Sequence, residues 1–400
     1  MRFVPLARVA DVQLGKMLSP KAKTGSSYFR YLRNTNVQWG RLDLSDLAQM
    51  DFSEAERKKF ELRFGDLLVC EGGEPGRCAV WRNEVSDCYY QKALHRVRPH
   101  EDKADSEFIS LWIRHQASTG VFEDQNAKTT IAHLPQVRLE QLLIPDVSIT
   151  QQRQIATRLK AQLAEVDTAR QAVQVQLRDA GLLRQRLLKQ TFDALADGPH
   201  KVLGKWVMSY RNGFGKRPGE GETGPIVLRI ADVSSGIIDL CNPRCGAVSL
   251  KEAHTYRLQT NDLLFIRVNG ARHIVGRCCV VGSNLPADTI FNDHLIRVCL
   301  KPGIDPEYVR FCVEAPSART RIEEAASTSA GQLTINQDVI GGIEVPDISI
   351  NDQRRIVTAL KQQLAEADAL RAALEQQLRD LDALPQRILA QAFQSGAPIA

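Results

Sequence analysis

The sequence predicts an α+β chain in which two globular domains alternate with two long helices, the helices pairing as an antiparallel coiled coil with pseudo-two-fold symmetry. Three observations predict it. The stretch "IPDVSITQQRQIATRLKAQLAEVD" from Ile144 returns as "VPDISINDQRRIVTALKQQLAEAD" from Val345, and roughly half the paired positions are identical as far as Phe192 and Phe393. Both copies carry apolar residues at helical three- and four-residue steps. The regions upstream of each copy show short β-type runs broken by Gly, Asn and Asp.

The elements follow in chain order. Domain 1 covers 1–144, with strands in "DLLVC", "CAVWR" and "LHRVR" and one covering helix, "SEFISLWIRHQAS", from Ser106. A helical region covers 145–197; its stripe is Ile155, Leu159, Leu163, Val166, Val173, Leu177, Ala180 and Leu187. Domain 2 covers 198–345, with strands in "DLLFI", "GRCCVV" and "HLIRVCL" and one helix, "PEYVRFCVEAPSARTRIEEA", from Pro306. A second helical region covers 346–400; its stripe is Ile356, Leu360, Leu364, Ala367, Leu374, Leu378, Leu381 and Ile388. Weaker echoes join the globular domains: "YLRNTNVQWGRLDL" with "VLRIADVSSGIIDL", and "QKALHRVRP" with "NDHLIRVCL".

Each long helix starts after a proline, with Ser148 or Thr150, and Ser349 or Asn351, as N-caps. A helix of about 45 residues is about 65–70 Å long, more than a small domain needs. The stripe must be buried, and the other copy is the available partner. An antiparallel pair would set the two domains at opposite ends. Arg170 and Arg371 interrupt the stripe at matched positions, as snorkelling cations or as polar register marks. Pro385 is expected to kink or shorten the second helix, where Arg184 in the first would not.

Composition is that of an ordinary globular protein: 43% hydrophobic, 25% charged, net charge +5. The mild positive balance permits a polyanionic partner without requiring one. Nine cysteines, two of them adjacent, fit a reduced interior better than a disulfide framework. Cys241 and Cys245 with His254 form an incomplete metal pattern, and no metal is expected. The start lacks a signal-peptide run and no stretch has membrane-helix length, so the cytoplasm is the expected compartment.

The helix starts, Pro145 with Gln151-Gln152-Arg153-Gln154-Ile155 and Pro346 with Asp352-Gln353-Arg354-Arg355-Ile356, together with the alternating architecture, resemble the specificity subunits of type I restriction–modification enzymes. That family often writes the start as Pro-Pro-Leu-x-Glu-Gln-x-x-Ile. Gln152, Gln353 and the isoleucines fit. The usual Glu is Gln151 or Asp352 and the second Pro is Ser148 or Ser349, substitutions that still allow a capping box.

The resemblance implies a non-catalytic recognition subunit. Each globular domain would be a target recognition domain reading one half of a bipartite double-stranded DNA target. The helices would fix the spacer and dock two methyltransferase subunits, with motor–nuclease restriction subunits joining them and no membrane involved. No cofactor is expected in this chain; S-adenosylmethionine would belong to the methyltransferase, ATP and Mg to the motor–nuclease. The competing reading is a DNA-binding coiled-coil scaffold with no methyltransferase partner.

Candidate DNA contacts are the cations and amides of the Gly-rich loops, because phosphates need extended cations and base edges need forked donors. In domain 1 they are Lys16, Lys21, Lys23, Arg33, Asn36, Arg77, Lys92, Lys128 and Thr129. In domain 2 they are Arg211, Asn212, Lys216, Arg217, Arg267, Asn269, Arg272, His294 and Gln332. Arg33 and Arg229 align in the repeat, which points to a structural role for that pair. No catalytic residue is expected. "GFGKRPGEG" lacks the Ser or Thr of a phosphate loop, "CNPRC" lacks an adenine-methyltransferase signature, and there is no nucleophile elbow.

Overall fold

The structure, a computed structural model, describes residues 2–18, 25, 27–122, 133–216, 223–234, 236–329 and 331–394. The chain divides into two compact units: Met1–Gln174 with Gln376–Ala400, and Val175–Glu375. Each unit holds one globular domain and part of both long helices.

In the first unit β1 (Phe3–Pro5) is followed by β2 (Ala10–Leu14), β3 (Leu67–Cys70), β4 (Cys78–Val80), β5 (Leu94–Pro99), α1 (Ser106–Ser118), β6 (Leu143–Pro145) and the start of α2 (Ile149–Asp193). The main sheet has the order β2-β5-β3-β4, all antiparallel. β1 pairs with β6, so the domain begins and ends on one two-stranded ribbon. β3 and β4 are buried throughout and read as unbroken apolar runs. One face carries α1; the other meets a three-stranded sheet made by Tyr28–Leu32, Ala48–Asp51 and Cys88–Tyr90, with Trp81, Tyr90 and Phe52 between.

The second unit repeats this plan. The end of α2 leads to β7 (His200–Val202), β8 (Val207–Asn212), β9 (Leu263–Ile266), β10 (Val268–Asn269), β11 (Cys278–Val280), β12 (Leu295–Leu300), α3 (Pro306–Glu314), α4 (Pro316–Ala325), β13 (Ser327–Ser329), β14 (Gln332–Thr334), β15 (Glu344–Pro346) and α5 (Ile350–Gln394). The main sheet is β8-β12-β9-β11, the order of the first domain, and β7 pairs with β15 as β1 does with β6. The single helix expected from Pro306 is two. Ala315 adopts ψ 139°, the extended backbone that a following proline imposes, and Pro316 opens a new helix.

Both long helices are 45 residues long. Ser148 and Ser349 are the N-caps rather than Thr150 and Asn351: Gln151 N donates to Ser148 Oγ at 3.3 Å and Asp352 N to Ser349 Oγ at 3.2 Å. Side chains close the box from the other side, Ser148 N donating to Gln151 Oε1 and Ser349 Oγ to Asp352 Oδ2. Pro385 does not shorten α5, which continues to Gln394. Proline forfeits one backbone bond, but the turns beyond it bury Leu389 and Phe393 in the core of the first domain, which holds them helical.

In the first unit Ile155, Leu159 and Leu163 of α2 share a buried cluster with Leu389 and Phe393 of α5. In the second, Leu188 and Phe192 of α2 share one with Val357, Leu360 and Leu364. The helices therefore run antiparallel. Val166, Val173 and Leu374 are buried as expected, while Leu177, Leu378 and Ile356 are only half-buried. The buried positions slip by one at the ends, to Leu188 from Leu187, Leu389 from Ile388 and Val357 from Ile356, because a 3.6-residue helix drifts from a strict heptad.

Arg170 pairs with Asp382 across the helices at 2.9 Å, whereas Arg371 turns along its own helix to Glu375 at 3.0 Å. The repeat explains the difference. The alignment that matches Arg170 with Arg371 matches Asp382 with Gly181, so Arg371 has no acid at the corresponding place. A Cβ on Gly181 would meet nothing within 4 Å. Gly181→Ala should therefore stabilise the second unit by about 0.5–1 kcal/mol, the helix-interior penalty of glycine. A thermal melt that falls instead of rising would show that this glycine serves packing.

Candidate nucleic-acid interface

At the start of each long helix the glutamine of the repeated motif is buried. Gln152 is 2% exposed and Gln353 1%. Gln152 Oε1 accepts from the N–H of Asp105, the N-cap of α1, at 2.9 Å, and its amide donates to Lys103 O and Val147 O. Gln353 Oε1 accepts from Asp305 N, the N-cap of α3, at 2.9 Å, and donates to Ile348 O. One side chain thus ties the covering helix of each domain to the start of the following long helix.

The opposite end of each sheet gathers the polar loops. The strand β5 is six residues long, about 20 Å. Its far end leads to Asp105 and Gln152; its near end receives four turns. Gly15 N donates to Leu94 O, Lys16 N to Tyr90 O, Glu71 N to Ala93 O and Leu134 N to Glu71 O. Domain 2 repeats each bond: Gly213 N to Leu295 O, Phe214 N to Phe291 O, Arg267 N to His294 O and Ile335 N to Arg267 O. The crossing is so close that a Cβ at Gly15 would lie 2.3 Å from Gln91 O, and one at Gly213 2.0 Å from Asn292 O. Only glycine fits there.

The loop candidates divide at this end. Four of the domain 1 candidates turn inward and are bonded within the domain. Lys16 is nearly covered, donates to Asp51 O at 2.7 Å and Glu56 Oε2 at 2.6 Å, and lies over the Phe52 ring. Burial alone would raise the Glu56 carboxyl, yet the Lys16 ammonium and the Ser53 cap hold it below the ordinary value. Arg33 pairs with Asp46, as Arg229 pairs with Asp232 in domain 2, and each arginine caps the short turn that follows it. Asn36 is 3% exposed and donates to Asp43 O and Asp46 O. Arg77 bonds Glu74 within its own loop and Asn34 O in the turn after Arg33. Lys92 remains exposed, in the turn before β5. Lys21, Lys23, Lys128, Thr129 and Arg217 lie outside the described residues.

Domain 2 leaves more of its candidates outward. Arg211, Asn212, Lys216, Arg272 and Gln332 are exposed and His294 is partly so. Lys216 sits 5.8 Å from the Phe214 ring centroid and 3.9 Å from Glu252, with 73% of its side chain in solvent. Arg272 donates to Glu323 O and remains exposed. Two are braced: Arg267 donates to Asp293 O, and Asn269 Oδ1 accepts from Ala271 N. Sequence reasoning missed His133, which bridges to Gly72 at this end of domain 1, and the ribbon β13–β14, which pairs with β10 in domain 2. The signal for both was the position of "NAKTT" and "SAGQ" between the covering helix and the last strand of each domain. Among the described residues no group of three or more His, Cys, Asp or Glu could hold a metal ion, and no helix is long and apolar enough to cross a membrane.

This is a duplicated α+β fold, each copy offering one polar sheet end and tied at the other end to a long helix. No protein-family model matches the chain. It is 26% identical over 382 residues to the type I restriction enzyme EcoKI specificity subunit of Escherichia coli (strain K12), covering 92% of this chain and 82% of that one. It is likewise 26% identical over 382 residues, with the same coverage, to the StySPI specificity subunit of Salmonella potsdam. The solved HsdS subunit from Thermoanaerobacter tengcongensis superposes with a TM-score of 0.64 over 99% of this chain and 97% of that one, at 18% identity. A chain from a structure of type I R-M complex assembly and conformational transition gives 0.68 over 98% and 97%, at 16% identity. Over nearly its whole length the chain is thus similar to the specificity subunits of type I restriction–modification enzymes.

Proposed function

We propose that this chain is the DNA-reading, non-catalytic subunit of a type I restriction–modification complex. Each domain reads one half of an asymmetric, bipartite target, and the helices set the spacer between halves. The observation that carries the reading is the matched pair of sheet ends: one backbone frame, bond for bond, bearing different side chains. A shared frame gives both readers the same approach to a duplex; different side chains give two different half-sites.

The chemistry belongs to partners. Two methyltransferase subunits would bring S-adenosylmethionine and methylate an adenine in each half, and motor–nuclease subunits would bring ATP and Mg. The contacts carried forward are the outward residues Lys92, Arg211, Asn212, Lys216, Arg272, His294 and Gln332, together with Lys21, Lys23, Lys128, Thr129 and Arg217 on the sequence argument alone. Exchanging residues 1–143 for the first domain of another specificity subunit should change one half of the methylated motif and leave the other half and the spacer intact. A change in both halves would contradict independent readers.

A further inference from the structure

We propose that domain 2 reads bases with the β13–β14 ribbon, Gln332 being its principal specificity side chain and Val268–Thr334 the adjoining contact. This rests on the reading of the chain as a DNA-recognition subunit. The ribbon is antiparallel, with Ser327 opposite Thr334, Thr328 opposite Leu333 and Ser329 opposite Gln332; β14 also pairs with β10, Val268 opposite Thr334. Side chains alternate along a strand. Leu333 turns into the domain core, so Gln332 and Thr334 face the other way, in a row with Val268 and Ser327. That face carries no charge. It offers an amide, two hydroxyls and one apolar side chain.

The surroundings fit a groove. A two-stranded ribbon is narrow enough to enter the major groove. Arg267, whose N–H and carbonyl join the ribbon's base to the His294 turn, places the ribbon beside that turn, and Arg272 bonds Glu323 O at the end of α4, just before the ribbon begins. An exposed cation, Arg272, beside an uncharged row divides the work as DNA readers do: cations meet phosphates, amides and hydroxyls meet base edges. The Gln332 side chain has no hydrogen-bond partner among the described residues and is exposed, so its amide is free to fork onto the N6 and N7 positions of an adenine. In domain 1, His133 takes the place of Thr334, bridging Gly72 where Thr334 pairs with Val268.

The test is the methylation pattern left by the complete complex carrying Gln332→Ala or, separately, the near-isosteric Thr334→Val. Gln332→Ala should relax one adenine position in a single half-site, with discrimination falling about tenfold or more. Thr334→Val should alter the preference at the same or the neighbouring position. The other half and the spacer should stay as in the wild type. If the wild-type complex writes a split motif and both variants write the identical motif, the ribbon is not the reader. If the wild-type complex writes no split motif, the recognition reading itself fails before the variants are compared.

Discussion

Phe393→Ala should cost the first unit about 3–5 kcal/mol, the usual range for deleting a buried aromatic ring. Phe393 comes from the last turn of α5 yet is 5% exposed. Its ring meets Trp112 edge-on at 5.0 Å, Phe108 edge-on at 5.9 Å and His115 stacked at 5.5 Å. Burial pushes the His115 imidazole below its ordinary value of 6.5. A folded-state value below the unfolded one means the unfolded chain binds the proton more readily, so this contribution is complete above about pH 6.5 and is lost as pH falls through the folded value. Acid should thus work in the same direction as the truncation. Phe192→Ala is the matched change in the second unit, where the ring meets Tyr308 at 6.0 Å, and its cost should be smaller because fewer rings surround it. Hydrogen exchange resolves the two cases: Phe393→Ala should expose α1 and β6, Phe192→Ala should expose α3 and β15. Equal loss of protection in both units from either change would refute the pairing of each helix end with its own domain.

Gln152→Leu and Gln353→Leu form the second large pair. Leucine nearly keeps the volume but offers no hydrogen bond. Each change leaves a buried N–H at an N-cap, Asp105 or Asp305, and at least one carbonyl without a partner. Unsatisfied buried groups cost about 1–3 kcal/mol each, so a loss of about 2–4 kcal/mol is expected per variant, or a fall of roughly 5–15 °C in the melting of the affected unit. Gln152→Glu separates the roles within the fork: it keeps the acceptor for Asp105 and replaces the donor to Lys103 and Val147, so it should also destabilise. A variant that melts with the wild type would mean that water replaces the side chain and that the clamp is not needed.

The repeated helix start, the antiparallel pairing and the strand runs were legible because they rest on periodicity and on a long matched stretch. The role of the glutamines was not. A polar residue beside a capping serine reads as part of the cap, and its burial depends on a loop 47 residues earlier in the chain. Pro316 and Pro385 were misjudged in opposite directions. Pro316 breaks a helix whose apolar pattern runs on, because it forces Ala315 into extended backbone even though Cys312, Val313 and Ala315 are buried. Pro385 leaves its helix whole, because Leu389 and Phe393 beyond it are anchored.

The candidate contacts were half legible for a related reason. Loop composition locates the clusters at one end of each sheet, but whether a cation faces outward depends on which carboxylate or carbonyl lies under it. Glu56, Asp46 and Glu74 claim Lys16, Arg33 and Arg77. The ribbon escaped notice because "STSAGQLT" is small and polar with a single buried anchor, Leu333. Short strands of that kind form through the pairing of β14 with β10 rather than through their own propensity.

The proposed function requires two different readers mounted alike. The direct measurement is a single-molecule map of adenine methylation in DNA from a host expressing this chain with the methyltransferase proposed as its partner. It should show one asymmetric motif, two short specific halves with a spacer of fixed length, and a methylated adenine in each half on opposite strands. A contiguous motif, a palindrome, or a spacer of variable length would contradict it.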